Sequence, residues 1–291
     1  MTGSSIRTLV PPGTRKAIKN GVRHGARATS RLRIWPSFVI IGGQRCGTTS
    51  LYRYLAQHPQ VAPVILEKGA HYFSTNHQRG VAWYRAHFVT DAYRRYLERR
   101  AGRPVITGEA SPYYLYHPLA PGRMHELLPD VRLIVMLRDP VKRAFSSHRH
   151  MIERGLDTLS FEEAVEAEPA RLAGERERLM ADPGYYSAEH QHHAYLTRGL
   201  YAENLALWRS FYAPEQMLVV QSEAFFRETG EEYRRVTRFL GLDDHPLERY
   251  EAHNPTQRQT LDPATRERLA AYFREPNERL FDMLGRRFDW S

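Results

Sequence analysis

The sequence predicts an α/β domain in which a central parallel sheet is covered by helices on both faces. Two runs, residues 38–41 and 133–137, contain apolar residues only. This is typical of central parallel strands, which are buried on both faces. Stretches with helical periodicity alternate with such runs, and the longest covers residues 265–284. Strands that alternate with helices favour a parallel sheet between two helical layers.

Composition and charge limit the classes of function. The chain has 291 residues, of which 42% are hydrophobic and 26% charged, so it can bury a core of globular size. Its single cysteine, Cys46, excludes an intramolecular disulfide and a cysteine-rich zinc site. No apolar run reaches the ~18–20 residues of a membrane span. The formal net charge of +9 favours an anionic partner.

The first 35 residues are predicted to form a basic, loosely ordered arm. They show neither a helical nor a strand period, and they lack the apolar stretch of a secretory signal. The ordered domain is predicted to cover residues 36–291. We therefore expect a cytoplasmic protein without a transmembrane segment.

A glycine-rich loop follows the first predicted strand and precedes a helical pattern. Gly42 and Gly47 have the spacing of a Walker A loop, but Thr48 and Thr49 stand where that motif has Lys and Ser or Thr. The nearest cation is Arg45, inside the loop. Main-chain N–H groups of such a loop, at the start of a helix, bind phosphate. The loop therefore predicts a P-loop-like nucleotide site and weakens the prediction of a kinase.

A second anion site is predicted at the end of residues 133–137. Arg138 follows this strand at the edge where ligands of open α/β sheets bind. Pro140 suits the first turn of a following helix, which carries Ser146. Together Arg138 and Ser146 are predicted to hold a second phosphate.

Both segments resemble the nucleotide-binding motifs of the sulfotransferases that use 3′-phosphoadenosine-5′-phosphosulfate (PAPS). The resemblance extends from Pro36 along nearly the whole chain. It includes residues 71–73, similar to the "HFF" segment on the acceptor side, and residues 108–113 and 198–201. Residues 272–290 are similar to the C-terminal helix of heparan sulfate O-sulfotransferases.

The resemblance implies PAPS as the donor, 3′-phosphoadenosine-5′-phosphate (PAP) as the product, and no metal. By position it assigns the 5′-phosphosulfate to the glycine-rich loop and the 3′-phosphate to the second site. A further loop, before residue 261, is expected to close over the nucleotide. The residues expected to bind the donor are Arg45, Cys46, Gly47, Thr48, Thr49, Ser50, Arg138, Ser146, Tyr201, Thr256, Gln257 and Arg258.

The catalytic residues implied by the resemblance are Arg45, His71 and Glu109. Arg45 stands at the family's lysine and can offset charge on the leaving phosphate. Gly69 occupies the position where heparan-type relatives often have a catalytic glutamate, so His71 is the expected base. Glu109 either orients His71 or acts as the base itself. For Cys46, in an anion loop, the main-chain N–H is the expected contribution, and a lowered thiol pKa is the alternative.

The predicted reaction is sulfuryl transfer from PAPS to an acceptor hydroxyl. The resemblance favours a carbohydrate or glycoconjugate acceptor and leaves a phenolic or secondary-metabolite hydroxyl open. Other classes left open are a P-loop-like kinase and a noncatalytic module that binds nucleotides or polyanions. No nucleic-acid partner is expected. His190, His192 and His193 resemble metal ligands, but they lie in residues 185–196, a predicted helix, without a carboxylate or cysteine ligand set, so no metal is expected there.

Overall fold

The five strands form one parallel sheet in the order β2-β3-β1-β4-β5. This computed structural model describes residues 25–250 and 260–290. The predicted parallel sheet with helices on both faces is confirmed. The strands are β1 Phe38–Ile40, β2 Val61–Ala62, β3 Ile106–Ala110, β4 Arg132–Leu137 and β5 Met217–Gln221.

Twelve α-helices with both ends inside the described residues accompany the sheet, and residues 25–28 are helical as well. None of them is long and apolar enough to cross a membrane. They are α1 Thr48–Leu55, α2 Val81–Arg85, α3 Asp91–Ala101, α4 Ala120–Leu127, α5 Pro140–Glu153, α6 Phe161–Leu172, α7 Glu175–Ala181, α8 Ala188–His192, α9 Tyr201–Arg209, α10 Ser222–Arg227, α11 Thr229–Phe239 and α12 Pro263–Leu284.

Strand β4 shows why the apolar runs in the sequence are continuous. Leu133, Val135 and Leu137 face a core that also contains Trp208 of α9. The residues between them, Ile134 and Met136, face a second core that includes Leu51 of α1 and Val236 of α11. Because both faces are covered along residues 133–137, these positions are apolar, and the polar Arg132 stands only at the exposed first position of the strand.

Residues 25–35 contact the domain. Arg33 is buried, and its guanidinium donates from Nε to Ala26 O (3.0 Å) and from Nη1 to Phe88 O (2.5 Å). Its main chain bridges to Thr90, just before α3. Residues 1–24 lie outside the described part, so the loosely ordered arm and the domain boundary at residue 36 stay predictions.

Candidate active site

The glycine-rich loop between β1 and α1 lies directly against β4. A Cβ atom added at Gly42 would lie 2.6 Å from Met136 N, and one at Gly47 would lie 2.9 Å from the Phe226 ring. Gly47 also has a φ of 90° and precedes the first residue of α1. The chain can therefore turn from strand to helix here only with glycine, and its N–H groups end at a helix N-terminus suited to an anion.

Three of the predicted donor-binding residues come together beside this loop. Arg45 donates from Nε to Ser146 Oγ of α5 (3.0 Å). Arg138, at the end of β4, donates from Nη1 to Arg45 O (3.2 Å). Arg45 has a φ of 70°, which places it outside the usual strand and helix conformations. The first turn of α1 adds Thr48, Thr49 and Ser50.

The support beneath Arg138 comes from side chains that lie far apart in the sequence. Tyr201 is 1% exposed and donates from its hydroxyl to Arg138 O (2.9 Å), so it positions this main chain. Glu223 accepts from Asp139 N (3.0 Å) and from Trp290 Nε1 (3.2 Å). Sequence reasoning assigned no role to Glu223 or Trp290.

The structure corrects the expectation for Cys46. The thiol is fully buried, and burial raises its pKa to about 11. Arg143 and Arg138 oppose this shift but do not reverse it. The thiol is therefore protonated at neutral pH, and the alternative of a lowered thiol pKa is wrong.

The segment of residues 68–71 is fixed against the end of β3 by its main chain. Lys68 O accepts from Ala110 N (2.8 Å), and His71 N donates to Ser111 Oγ (3.0 Å). A Cβ atom at Gly69 would lie 2.8 Å from Ala110 O. This close approach explains the glycine, because a glutamate side chain would not fit this backbone.

The side chain of Glu109 holds the main chain of the same 68–71 segment. It is fully buried and accepts from Ala70 N (3.0 Å), Ser111 Oγ (2.6 Å) and Tyr114 OH (3.0 Å). Burial raises the pKa of this carboxyl, while the three donors lower it. The Glu109 carboxylate therefore accepts from the main-chain N–H of Ala70, the residue before His71. None of these three hydrogen bonds involves the His71 imidazole.

His71 has a φ of 50° and a buried Nδ1 atom without a hydrogen-bond partner among the described residues. Its pKa is lowered to about 4, mainly by burial and then by the charge of Lys68. The imidazole is therefore neutral at pH 7. Burial, with a contribution from Arg53, lowers the pKa of Lys68 to about 8.

A cavity of about 380 Å³ connects the glycine-rich loop with the 68–71 segment. We call it the acceptor-side cavity. Cations outnumber carboxylates on its wall. Sequence reasoning gave no role to Gln44, Lys68 or Arg154, and it placed Arg198 only within the 198–201 segment that resembles the family's helix over the nucleotide. The cavity lining includes Gln44, Glu67, Lys68, His71, Arg154 and Arg198.

Three of the predicted donor-binding residues lie outside the part of the chain that the structure describes. Thr256, Gln257 and Arg258 lie in residues 251–259, which the structure does not describe.

Within residues 25–250 and 260–290, no group of three or more His, Cys, Asp or Glu side chains could hold a metal ion. His190 is instead buried, with Nδ1 2.8 Å from Tyr113 OH.

Comparison with known proteins identifies a family. The model of the sulfotransferase domain family matches residues 36–273. A sulfotransferase structure from Alicyclobacillus acidocaldarius has a TM-score of 0.64 and 30% identity, covering 88% of this chain and 98% of that one.

Two curated relatives are also similar over 88% of this chain. The membrane-associated sulfotransferase kil1 of Dictyostelium discoideum is 25% identical, and the heparan sulfate glucosamine 3-O-sulfotransferase 3A1 of Mus musculus is 29% identical. The chain spans just under two thirds of these relatives, 66% of the first and 64% of the second.

Proposed function

Because the chain belongs to the sulfotransferase domain family and is a transferase of that class, we propose that it transfers a sulfuryl group from PAPS to an acceptor hydroxyl. One observation carries the proposal. Arg45, Arg138 and Ser146 converge at the N-terminus of α1, and the acceptor-side cavity begins at the same loop. An anion site beside a separate cavity suits a donor and an acceptor that meet at one point.

The proposed donor contacts divide between two anion sites. Main-chain N–H groups of the loop and the hydroxyls of Thr48 and Thr49 hold the 5′-phosphosulfate. Arg138 and Ser146 hold the 3′-phosphate. Arginine suits this role because its planar guanidinium binds phosphate through two parallel hydrogen bonds.

In the proposed reaction, an acceptor oxygen forms a bond to sulfur while the bond from sulfur to the phosphate oxygen of PAPS breaks. The acceptor proton moves to Nε2 of His71, because Nδ1 is buried; the imidazole is neutral at pH 7 and lines the cavity. Arg45 offsets the negative charge that builds on the leaving PAP. The products are a sulfate ester and PAP, with the proton on the base.

For the acceptor, we propose a carbohydrate hydroxyl. The support comes from the relatives named as heparan sulfate glucosamine 3-O-sulfotransferases, at 27–29% identity. The predominance of Lys68, Arg154 and Arg198 over Glu67 on the wall agrees with a polar acceptor. A phenolic hydroxyl is the alternative that an acceptor screen must include.

The test is a mass-spectrometric screen of carbohydrate and phenolic acceptors with PAPS, in which the product gains a sulfo group. ATP in place of PAPS is the control for a kinase. Arg45→Lys should keep substantial activity, while Arg45→Ala should lose more rate than PAP affinity, because its contact strengthens as the leaving group gains charge. PAP that does not bind, together with no product from any acceptor, would refute the proposal.

A further inference from the structure

Arg198 lies at the junction of the donor loop and the acceptor-side cavity. It is only 6% exposed and belongs to the short 3₁₀ turn Thr197–Gly199 that precedes α9. Its guanidinium carbon lies 4.8 Å from the ring centre of Tyr113 and 5.2 Å from that of Tyr116. Two aromatic faces therefore fix the plane of the guanidinium.

The hydrogen bonds of Arg198 connect two separate parts of the site. Nη1 donates to Gln44 Oε1 of the glycine-rich loop (2.5 Å), next to Arg45. Nη2 donates to Gln191 O (2.5 Å) and His190 O (3.2 Å) on the opposite wall. Gln44 also lines the acceptor-side cavity, so Arg198 fixes a donor-loop side chain at the point where the cavity begins.

The charge of Arg198 is not neutralised locally. Among the described residues no carboxylate lies within ion-pair distance of it, and its buried Nε atom has no hydrogen-bond partner. Glu168 is buried nearby, but it accepts from Leu196 N (2.6 Å) and Thr197 N (2.9 Å). It thus holds the segment that carries Arg198. A buried cation without a counter-ion is costly, and groups in such perturbed environments cluster at functional sites.

We propose that Arg198 is a positioning residue for sulfuryl transfer, which holds Gln44 against the acceptor-side cavity and keeps a fixed positive charge between the donor loop and His71. This inference rests on the proposed function. It assigns Arg198 an action through Gln44 and through its electric field, in addition to its contacts with the main chain of α8.

The field of Arg198 reaches His71. Arg198 contributes to the lowered pKa of His71, after burial, the charge of Lys68 and the opposing charge of Glu67. Removal of the Arg198 charge should therefore raise this pKa. Other charged or titratable groups also lie on the cavity wall and at the end of β3, and the variants compared leave all of them in place. These groups are Glu67, Lys68, Glu109, Arg154 and His192.

A double-mutant cycle tests the link to Gln44. Arg198→Met and Gln44→Ala should each lower kcat by about 10²-fold, the cost of misplacing a reacting group. The double variant should lose little more than either single variant, because both changes break one contact. Arg286→Met is the matched control, since Arg286 also donates to a backbone carbonyl, that of Val219, and lies over an aromatic ring, that of Phe288 (4.9 Å), away from Gln44 and His71. If the fold-losses in kcat of the two single variants multiply in the double variant, the two residues act independently, and the link between Arg198 and Gln44 is overturned.

The His71 pKa, measured by NMR titration, is a readout that needs no turnover. It should rise in Arg198→Met and stay unchanged in Arg286→Met. In Arg198→Lys it should stay close to the wild-type value while kcat still falls, because lysine keeps the charge but not the planar contacts. A His71 pKa that is the same in Arg198→Met overturns the inference whatever the activity. A wild-type protein without any transfer would instead refute the proposed function.

Discussion

Replacement of Glu109 tests whether its carboxylate has a structural role or acts as the catalytic base. Its two oxygens accept from Ala70 N, Ser111 Oγ and Tyr114 OH, all in the buried interior. In Glu109→Ala these donors lose their acceptor, and each unsatisfied buried group costs about 1–3 kcal/mol. The two hydroxyls can rotate toward other acceptors, whereas the Ala70 N–H cannot.

We therefore expect Glu109→Ala to lose about 3–5 kcal/mol of unfolding free energy, the usual cost of breaking a buried charged network. For a domain of this size that corresponds to a Tm lower by about 6–20 °C. In Glu109→Gln, the amide oxygen can still accept from Ala70 N and the amide group can donate to Tyr114 OH. The expected loss there is about 1 kcal/mol.

The assay pairs thermal unfolding with turnover, measured well below the Tm of each variant. Glu109→Gln should keep turnover within about tenfold of wild type, since its carboxylate acts on the Ala70 main chain. Glu175→Gln is the control, because Glu175 is also buried but accepts from Tyr185 OH (2.9 Å), away from the 68–71 segment. A Glu109→Gln protein that melts like wild type yet loses about 10²–10⁴-fold in turnover would show that Glu109 is the base.

Four shorter predictions concern the rest of the site. Arg138→Ala should weaken PAP binding by about 1.5–3 kcal/mol in calorimetry, as for a charged hydrogen bond, and unchanged affinity would remove it from the site. His71→Ala should lower turnover by about 10²–10⁴-fold. The wild-type rate should fall only as the pH drops through about 4, where the imidazole gains its proton; a fall near pH 6.5 would contradict the burial of His71. Cys46 should resist alkylation at pH 8, because its pKa is about 11, and rapid labelling of the folded protein would argue against this. Trp290→Phe keeps the ring packing but loses the donor to Glu223, so the KM for PAPS should rise with little change in kcat; an equal change in the acceptor KM would indicate general loosening.

Part of the candidate site could be predicted from the sequence because its signals are local. Gly42 and Gly47, between an apolar run and a helical pattern, predict a strand, an anion loop and a helix. The same holds for Arg138 at the end of an apolar run. The short helix α2 and the charged helix α3 were not predicted, since neither buries a wide apolar face: α2 buries only Tyr84 and α3 buries no residue.

What the sequence by itself determined is the α/β class, the buried strands β1 and β4 and the two anion motifs, because hydrophobic period and glycine spacing act over a few residues. Only the tertiary structure decided which distant side chains meet. Arg45 reaches Ser146 across 101 positions, and Arg198 reaches Gln44 across 154. It also decided the direction of the Cys46 pKa and the low pKa of His71, because burial and the charges around a group depend on neighbours that the sequence does not place beside it.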